Sequence, residues 1–250
     1  MAKQKLLLVD GSSLAFRAFF SILDLNRFKN ANGLHTNALY SFHRMFKSIL
    51  DSEKPTHVLV AWDAGKTTFR TEMYADYKGG RSKTPGEFIE QMPYFNVLLD
   101  AWGIPHYRLN QYEADDIIGT LARKGEEAGY EVVVLSGDKD LIQLADNNIT
   151  VKITTKGVTE LVEYTPEVIF EKYGLTPEQI IDMKGLMGDS SDNYPGVTKV
   201  GEKTAVKLLQ EFGSVEGIYE HVDEMKKSKL KENLINDKEL AFLSKKLARI

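Results

Sequence analysis

Short β-rich runs alternate with helix-length amphipathic stretches over the first 150 residues, which predicts a mainly parallel sheet with helices on both faces. The runs are Lys5 to Val9, His57 to Trp62, Ile104 to Tyr107, Glu131 to Leu135 and Ile149 to Ile153. Between the first two, Leu39, Phe42, Phe46, Ile49 and Leu50 recur at helical spacing after Thr36 and predict a crossover helix. Phe88, Met92, Phe95, Leu98 and Leu99 form a second apolar stripe before Gly103, and Ile117, Ile118, Leu121 and Ala122 a third before Gly129, each closed by a glycine stop signal. From about Tyr164 the pattern changes to short helices opened by Thr165-Pro166 and Thr176-Pro177, with no further strand. The expected division is an α/β domain over 1–180 and a helical region over 181–250.

Length and composition sharpen this picture by exclusion. The chain has 250 residues, long enough for one or two domains with a sizeable core. Zero cysteines exclude disulfides, thiolate zinc sites, iron–sulfur clusters and a cysteine nucleophile, and fit a reducing compartment. No apolar run approaches the roughly 20 residues of a membrane helix, and the stretch Leu6 to Val9 ends abruptly at Asp10, so neither a membrane span nor a secretory signal is expected. The locally basic stretches 223–231 and 245–249 read as solvated helix faces.

The acids follow the strands. Asp10 closes the first run, Asp63 the second, and Asp138 and Asp140 follow the run ending at Leu135. In an open parallel sheet, ligands bind in the crevice beyond the carboxyl ends of the strands. Glu113, Asp115 and Asp116 open a helix after the run Ile104 to Tyr107, and so belong near the same edge. A single acid there would be explained by the helix N-terminus or by a turn; the whole set is not. The spacing of Asp189 and Asp192 lets both face the same way on one turn, and if that turn folds back over the edge nine carboxylates converge. Two unit charges about 4 Å apart repel by roughly 4 kcal/mol at an effective dielectric near 20, so such a cluster calls for cations. Only oxygen ligands are offered, and the five histidines adjoin none of these acids, which selects Mg²⁺ or Mn²⁺ over zinc. Two such ions can activate a water in line with a phosphorus atom and stabilise the leaving oxygen.

Net charge is −4 from 32 basic and 36 acidic residues, but 36 acids less the nine candidate ligands leave 27 against 32, about +5, which favours a polyanionic partner. Between Phe69 and Phe88, Arg70, Lys78, Arg81 and Lys83 interleave with Tyr74, Tyr77 and Gly79-Gly80, a pattern suited to a single strand whose backbone is tracked by cations and whose bases stack on rings. Arg17, Phe19 and Phe20, just after the first acid, are weaker candidates, with core the favoured reading of the two Phe. Residues 195–209 read as a tight hairpin followed by a helix starting near Gly201, whose free amides, with Lys203 and Thr204, would hold a phosphate without reading sequence.

The motifs LLLVDGSSLAFRAFF, VAWDAG, YKGGR, EADDIIGTLA, LSGDKDLIQL and LMGDSSDNYPGVTKVGEKTA, in this order, closely resemble the 5′-nuclease domains of bacterial DNA polymerases within the flap endonuclease family, over essentially the whole chain. The resemblance implies a PIN-like 5′-nuclease fold, α/β with a mainly parallel central sheet flanked by helices, and a C-terminal helix-hairpin-helix over 195–212. It implies structure-specific, two-metal hydrolysis of phosphodiesters near single-strand to duplex junctions, removing 5′ flaps, RNA primers or terminal nucleotides in replication and repair. Asp10, Asp63, Glu113, Asp115, Asp116, Asp138, Asp140, Asp189 and Asp192 would be the metal ligands. Lys78 and Arg81, with Tyr77 beside them, would stand near the scissile phosphate in an arch region over 70–88. Arg17, Arg70, Lys83, Gly196, Lys199, Gly201, Lys203 and Thr204 would add DNA contacts. Mg²⁺, replaceable by Mn²⁺, and K⁺ at the hairpin are the expected ions. The expected partners are flapped or nicked DNA, the RNA–DNA hybrid of a primer, and a covalently attached polymerase domain. The expected setting is a monomer at the nucleoid in the bacterial cytoplasm. The sequence departs from the family at Lys199-Val200-Gly201, where glycine usually stands first. It also ends at Ile250, short of the family domain's usual end, and reads as either a fragment or a stand-alone nuclease. Two alternatives are a PIN-like ribonuclease needing no duplex and a non-catalytic module that binds DNA junctions.

Overall fold

The run Lys5–Asp10 buries Leu7, Leu8 and Val9 completely, as an apolar strand paired on both sides must. It lies at the centre of a six-stranded sheet in the computed structural model, which describes residues 4–65, 67–155 and 160–250. In chain order the elements are β1 (Lys5–Asp10), α1 (Gly11–Phe20), α2 (Asn37–Glu53), β2 (His57–Ala61), α3 (Phe69–Met73), α4 (Gly86–Ile89), α5 (Met92–Ala101), β3 (His106–Tyr107), α6 (Ala114–Glu127), β4 (Glu131–Ser136), β5 (Ile149–Thr154) and β6 (Leu161–Tyr164). There follow α7 (Pro166–Tyr173), α8 (Pro177–Met187), α9 (Glu202–Phe212), α10 (Val215–Glu220), α11 (Lys229–Asn236) and α12 (Lys238–Ala248).

The chain forms two compact units. The first comprises Met1–Gly65, Lys83–Leu141 and Ala145–Tyr164; the second comprises Lys66–Ser82, Ile142–Leu144 and Thr165–Ile250. The longest stretch of the second unit begins at Thr165, directly after the last strand.

In the first unit the strand order is β3-β2-β1-β4-β5-β6, parallel throughout except for the antiparallel pair β5 and β6. The five expected strands are present; β6 is an addition, only 4 residues long. On one face α1, α2 and α5 enclose Leu14, Phe42, Phe46, Trp62, Phe95 and Leu99. Gly11 permits this packing, because a Cβ there would stand 2.6 Å from Cγ1 of Val60 and 2.9 Å from the Trp62 ring. On α6, a Cβ at Gly125 would come within 2.8 Å of Leu6 Cδ2, so a second glycine lets that helix approach β1.

The second unit is helical. Thr165 caps α7, and Thr176 with Gln179 forms a capping box on α8, each with proline in the first turn, as the Thr-Pro pairs predict. Asp182 is buried and accepts from the Val215 amide at 2.8 Å and from Lys245 Nζ at 2.6 Å, tying α8 to α10 and α12. Among the described residues, no helix is long and apolar enough to cross a membrane.

Candidate active site

The sheet unit places acids at the carboxyl ends of three adjacent strands. Asp10 is the last residue of β1 and the N-cap of α1, and is buried. Its Oδ1 accepts from the Ser13 amide at 2.9 Å and its Oδ2 from the Ser136 hydroxyl at 2.6 Å. Asp63 lies just beyond β2; its amide donates to Ser12 Oγ at 3.0 Å, and its Oδ1 accepts from the Ala114 amide at 2.9 Å. That last bond places the start of α6 at the same edge. Glu113 and Asp116 form a capping box there, with the Glu113 amide donating to Asp116 Oδ2 at 2.9 Å, and Asp115 lies between them in the first turn. Beyond β4, the Asp138 amide donates to Ser136 Oγ at 3.0 Å, and Asp138 Oδ1 accepts from the Asp140 amide at 2.9 Å.

Ser136 therefore links Asp10 to Asp138 through one hydroxyl. Burial, reinforced by the charges of Asp63 and Asp138, pushes Asp10 up to about 7, against the pull of the bonds from Ser13 and Ser136. Burial is the larger cause, and the carboxylates at the two neighbouring strand ends add to it. The donors are all oxygen, a set that fits a hard divalent cation. Among the described residues no three Asp, Glu or His side chains stand as a ready-made cage. The carboxylates are held instead by amides and hydroxyls along the edge.

Beside this edge, Ser13, Phe16, Arg17, Phe20, Ser21 and Gly137 line an open cleft of about 420 Å³. Phe19 is buried as expected, but Phe20 is 48% exposed and Phe16 47%. Each packs edge-on against a buried ring, Phe16 on Phe88 and Phe20 on Phe19, while leaving about half its surface exposed, so Phe20 is at the rim of the core rather than within it and Phe16 joins it there. Their spacing of one helical turn was the available signal. Arg17 is half-buried and donates through Nη1 to the carbonyl of Thr155. Lys83 is exposed.

In the helical unit, Asp189 and Asp192 belong to a turn closed by reciprocal bonds between the backbones of Asp189 and Tyr194, at 2.9 and 3.0 Å. Asp189 Oδ1 accepts from the Ser191 amide at 2.7 Å, while its Oδ2 accepts from Lys184. Burial alone would raise Asp189, but Lys184 and Ser191 outweigh it and hold the carboxyl below its usual range. Asp192 is buried beneath three residues of the arch stretch: Arg81 at 2.6 Å, the Tyr77 hydroxyl at 3.1 Å and Lys78 Nζ at 3.8 Å. The Lys78 amide donates to the Asp192 carbonyl at 2.8 Å, and Asn193 Nδ2 to the Asp76 carbonyl at 2.8 Å, so this part of the stretch is pinned.

Three expected DNA contacts are corrected. Arg70 is 1% exposed, and its guanidinium donates to the carbonyls of Leu247 at 2.9 Å and Arg249 at 2.7 Å, closing the end of α12. Tyr77 is buried, its ring stacked on Tyr194 and its hydroxyl on Asp192, so no face is offered to a base. The amide of buried Gly196 donates to Ser244 Oγ at 3.0 Å and is not available to a phosphate. Lys199, Gly201 and Lys203 are exposed and Thr204 half-exposed, with Gly201 as the N-cap of α9. Lys199 takes φ 60°, the left-handed value a glycine would adopt, so the turn is formed despite the substitution.

A parallel sheet with acids at adjacent strand ends, followed by a helical unit carrying a hairpin with exposed lysines, defines the α/β, acid-edged class of nucleases. The chain belongs to the 5′-3′ exonuclease family, matching its N-terminal resolvase-like domain over residues 5–174 and its C-terminal SAM fold over 175–250. It is 64% identical over 251 residues to DNA polymerase I of Streptococcus pneumoniae, an alignment that takes in 100% of this chain and 29% of that protein. The chain thus spans less than a third of the length of this curated relative. The bacteriophage T5 D15 flap endonuclease, solved as a pseudo-enzyme-product complex with DNA and metal ions, is similar in structure at TM-score 0.77 and 27% identity, covering 98% of this chain and 89% of that one. The catalytic core of Rad2 in complex with DNA substrate shares the fold at TM-score 0.60 and 18% identity, covering 94% of this chain and 74% of that one.

Proposed function

We propose that this chain hydrolyses DNA phosphodiesters near single-strand to duplex junctions, removing 5′ flaps, RNA primers and terminal nucleotides during replication and repair. The observation that carries the reading is the crowding of Asp10, Asp63 and Asp138 at the ends of adjacent strands, with Asp10 raised by burial and by its two neighbours. Asp10, Asp63, Glu113, Asp115, Asp116, Asp138 and Asp140 are the residues that would hold divalent ions, with Mg²⁺ preferred for an all-oxygen donor set. Asp189 and Asp192 join that assignment through the family resemblance alone. Divalent ions held by these carboxylates would supply activation of water and neutralisation of developing phosphate charge.

The chain's own residues do the rest. Ser13, Ser136 and the Ala114 amide hold Asp10 and Asp63 in fixed orientation, so the edge needs little rearrangement during reaction. Lys78 and Arg81, fixed over Asp192, are suited to place positive charge beside a phosphate as its charge develops. In the helical unit, the amides following Gly201, with Lys199, Lys203 and Thr204, would grip the duplex backbone without reading sequence, with K⁺ as an added ligand of the hairpin.

The test is a gel assay of 5′-labelled flap DNA with and without Mg²⁺, alongside single-stranded RNA. Mg²⁺-dependent cuts at the junction are expected. Cleavage of the RNA without junction preference would instead favour a ribonuclease.

A further inference from the structure

Lys199 occupies a conformation that its side chain disfavours and that glycine would accept freely. The surrounding structure must therefore enforce it. The Thr198 amide donates to Oδ2 of Asp237 at 2.8 Å, and Nδ2 of Asn233 donates to the Thr198 carbonyl at 2.9 Å. That carbonyl and the Lys199 nitrogen share one peptide plane, from which φ of Lys199 is measured. Asn233 thus fixes the reference plane of the left-handed turn, while buried Val200 anchors its far side, with its amide on the Val197 carbonyl at 3.1 Å.

Both partners of Thr198 come from the helices at the end of the chain. Asn233 is a buried polar residue of α11. Asp237 stands at the start of α12, yet its carboxylate makes no cap bond to that helix; the bonds from Thr198 hold it below its usual range instead.

We infer that Asp237 and Asn233 are positioning residues that hold the Thr198–Lys199 turn in its DNA-gripping form, doing in this chain what a glycine does by conformational freedom. The inference rests on the hairpin being the duplex grip. Charge alone predicts the opposite sign for Asp237, since removing an acid beside a phosphate site should tighten binding.

The experiment measures Kd for flapped duplex DNA by fluorescence anisotropy, with kcat and KM for cleavage, in the full chain carrying Asp237→Ala, Asn233→Ala, Lys203→Ala, Lys199→Gly and the double variant Lys199→Gly/Asp237→Ala. Asp237→Ala is expected to weaken binding about fivefold, the scale of one hydrogen bond, and to raise KM with kcat unchanged. In the double variant, binding is expected to return to within about twofold of Lys199→Gly alone, because glycine needs no clamp. Unaltered or tighter binding by Asp237→Ala, or no rescue by glycine, overturns the inference. If Lys203→Ala weakens binding while Asp237→Ala does not, the clamp alone fails. If Lys203→Ala also leaves binding unchanged, the hairpin reading fails with it.

Discussion

The sheet edge and the hairpin are built by opposite means. At the edge, backbone amides and hydroxyls hold the side chains proposed to act: the Ser13 amide on Asp10, the Ala114 amide on Asp63 and the Asp140 amide on Asp138. In the hairpin, side chains hold the backbone proposed to act: Asp237 and Asn233 on Thr198, and Ser244 on Gly196. An acting carboxylate contributes its charge at one fixed point, whereas a turn held from several sides loosens by degrees. The edge should therefore respond to single substitutions by losing chemistry, and the hairpin by losing affinity.

The largest expected effect comes from Asp10→Asn or Asp138→Asn, each lowering single-turnover cleavage of flap DNA by about 10³-fold or more while leaving Kd nearly unchanged. Parental rates in both variants would erase the contrast. Next come Lys78→Ala and Arg81→Ala, expected to lower turnover by about 10²-fold and binding by much less, because fixed cations count most where charge develops. Equal losses in rate and affinity would class them with the hairpin lysines. Lys203→Ala should weaken binding to many sequences alike and reduce the slope of log K against log salt by about 0.9. An unchanged slope in a salt titration removes it from the phosphate contacts.

The smallest effect separates charge that serves stability from charge that serves chemistry. Glu53, at the end of α2, meets Lys152 at 2.6 Å and Lys5 at 3.4 Å. Burial would raise its carboxyl, but Lys152 and then Lys5 outweigh burial and hold it below its ordinary value of 4.5. With the folded value depressed, its stabilisation is present above 4.5 and is lost as pH falls through the folded value, since the unfolded chain binds more protons in that window. Glu53→Gln should lower Tm at neutral pH by a few degrees and flatten the acid limb of the stability curve, with cleavage kinetics unchanged. A thermal melt series between pH 3 and 7 checks this, and parallel acid limbs in the two proteins would count against it.

What could be read from the sequence was whatever is encoded locally. An apolar run that stops at an acid, as at Asp10, announces both a strand and the polar end of it, and Thr-Pro pairs announce helix starts through capping chemistry that needs only neighbours. Strand β6 escaped because its 4 residues are too few to show alternation, and it exists by pairing with β5. Arg70 looked like a surface cation because its carbonyl partners lie about 177 positions away, and Tyr77 looked like a stacking ring because Asp192 is 115 positions away. Lys199 shows the reverse case. The glycine signal is missing, yet the conformation is kept by groups on α11 and at the start of α12.

Metal-dependent hydrolysis is proposed for the acidic sheet edge. Its most direct test is turnover of a 5′-labelled flapped duplex as Mg²⁺ is titrated into chelator-stripped protein, wild type beside Asp138→Asn. No cleavage in chelator, saturable recovery with Mg²⁺ in the wild type, and no recovery in the variant are expected. Cleavage that persists in chelator, or that Mg²⁺ restores equally in both proteins, would contradict it.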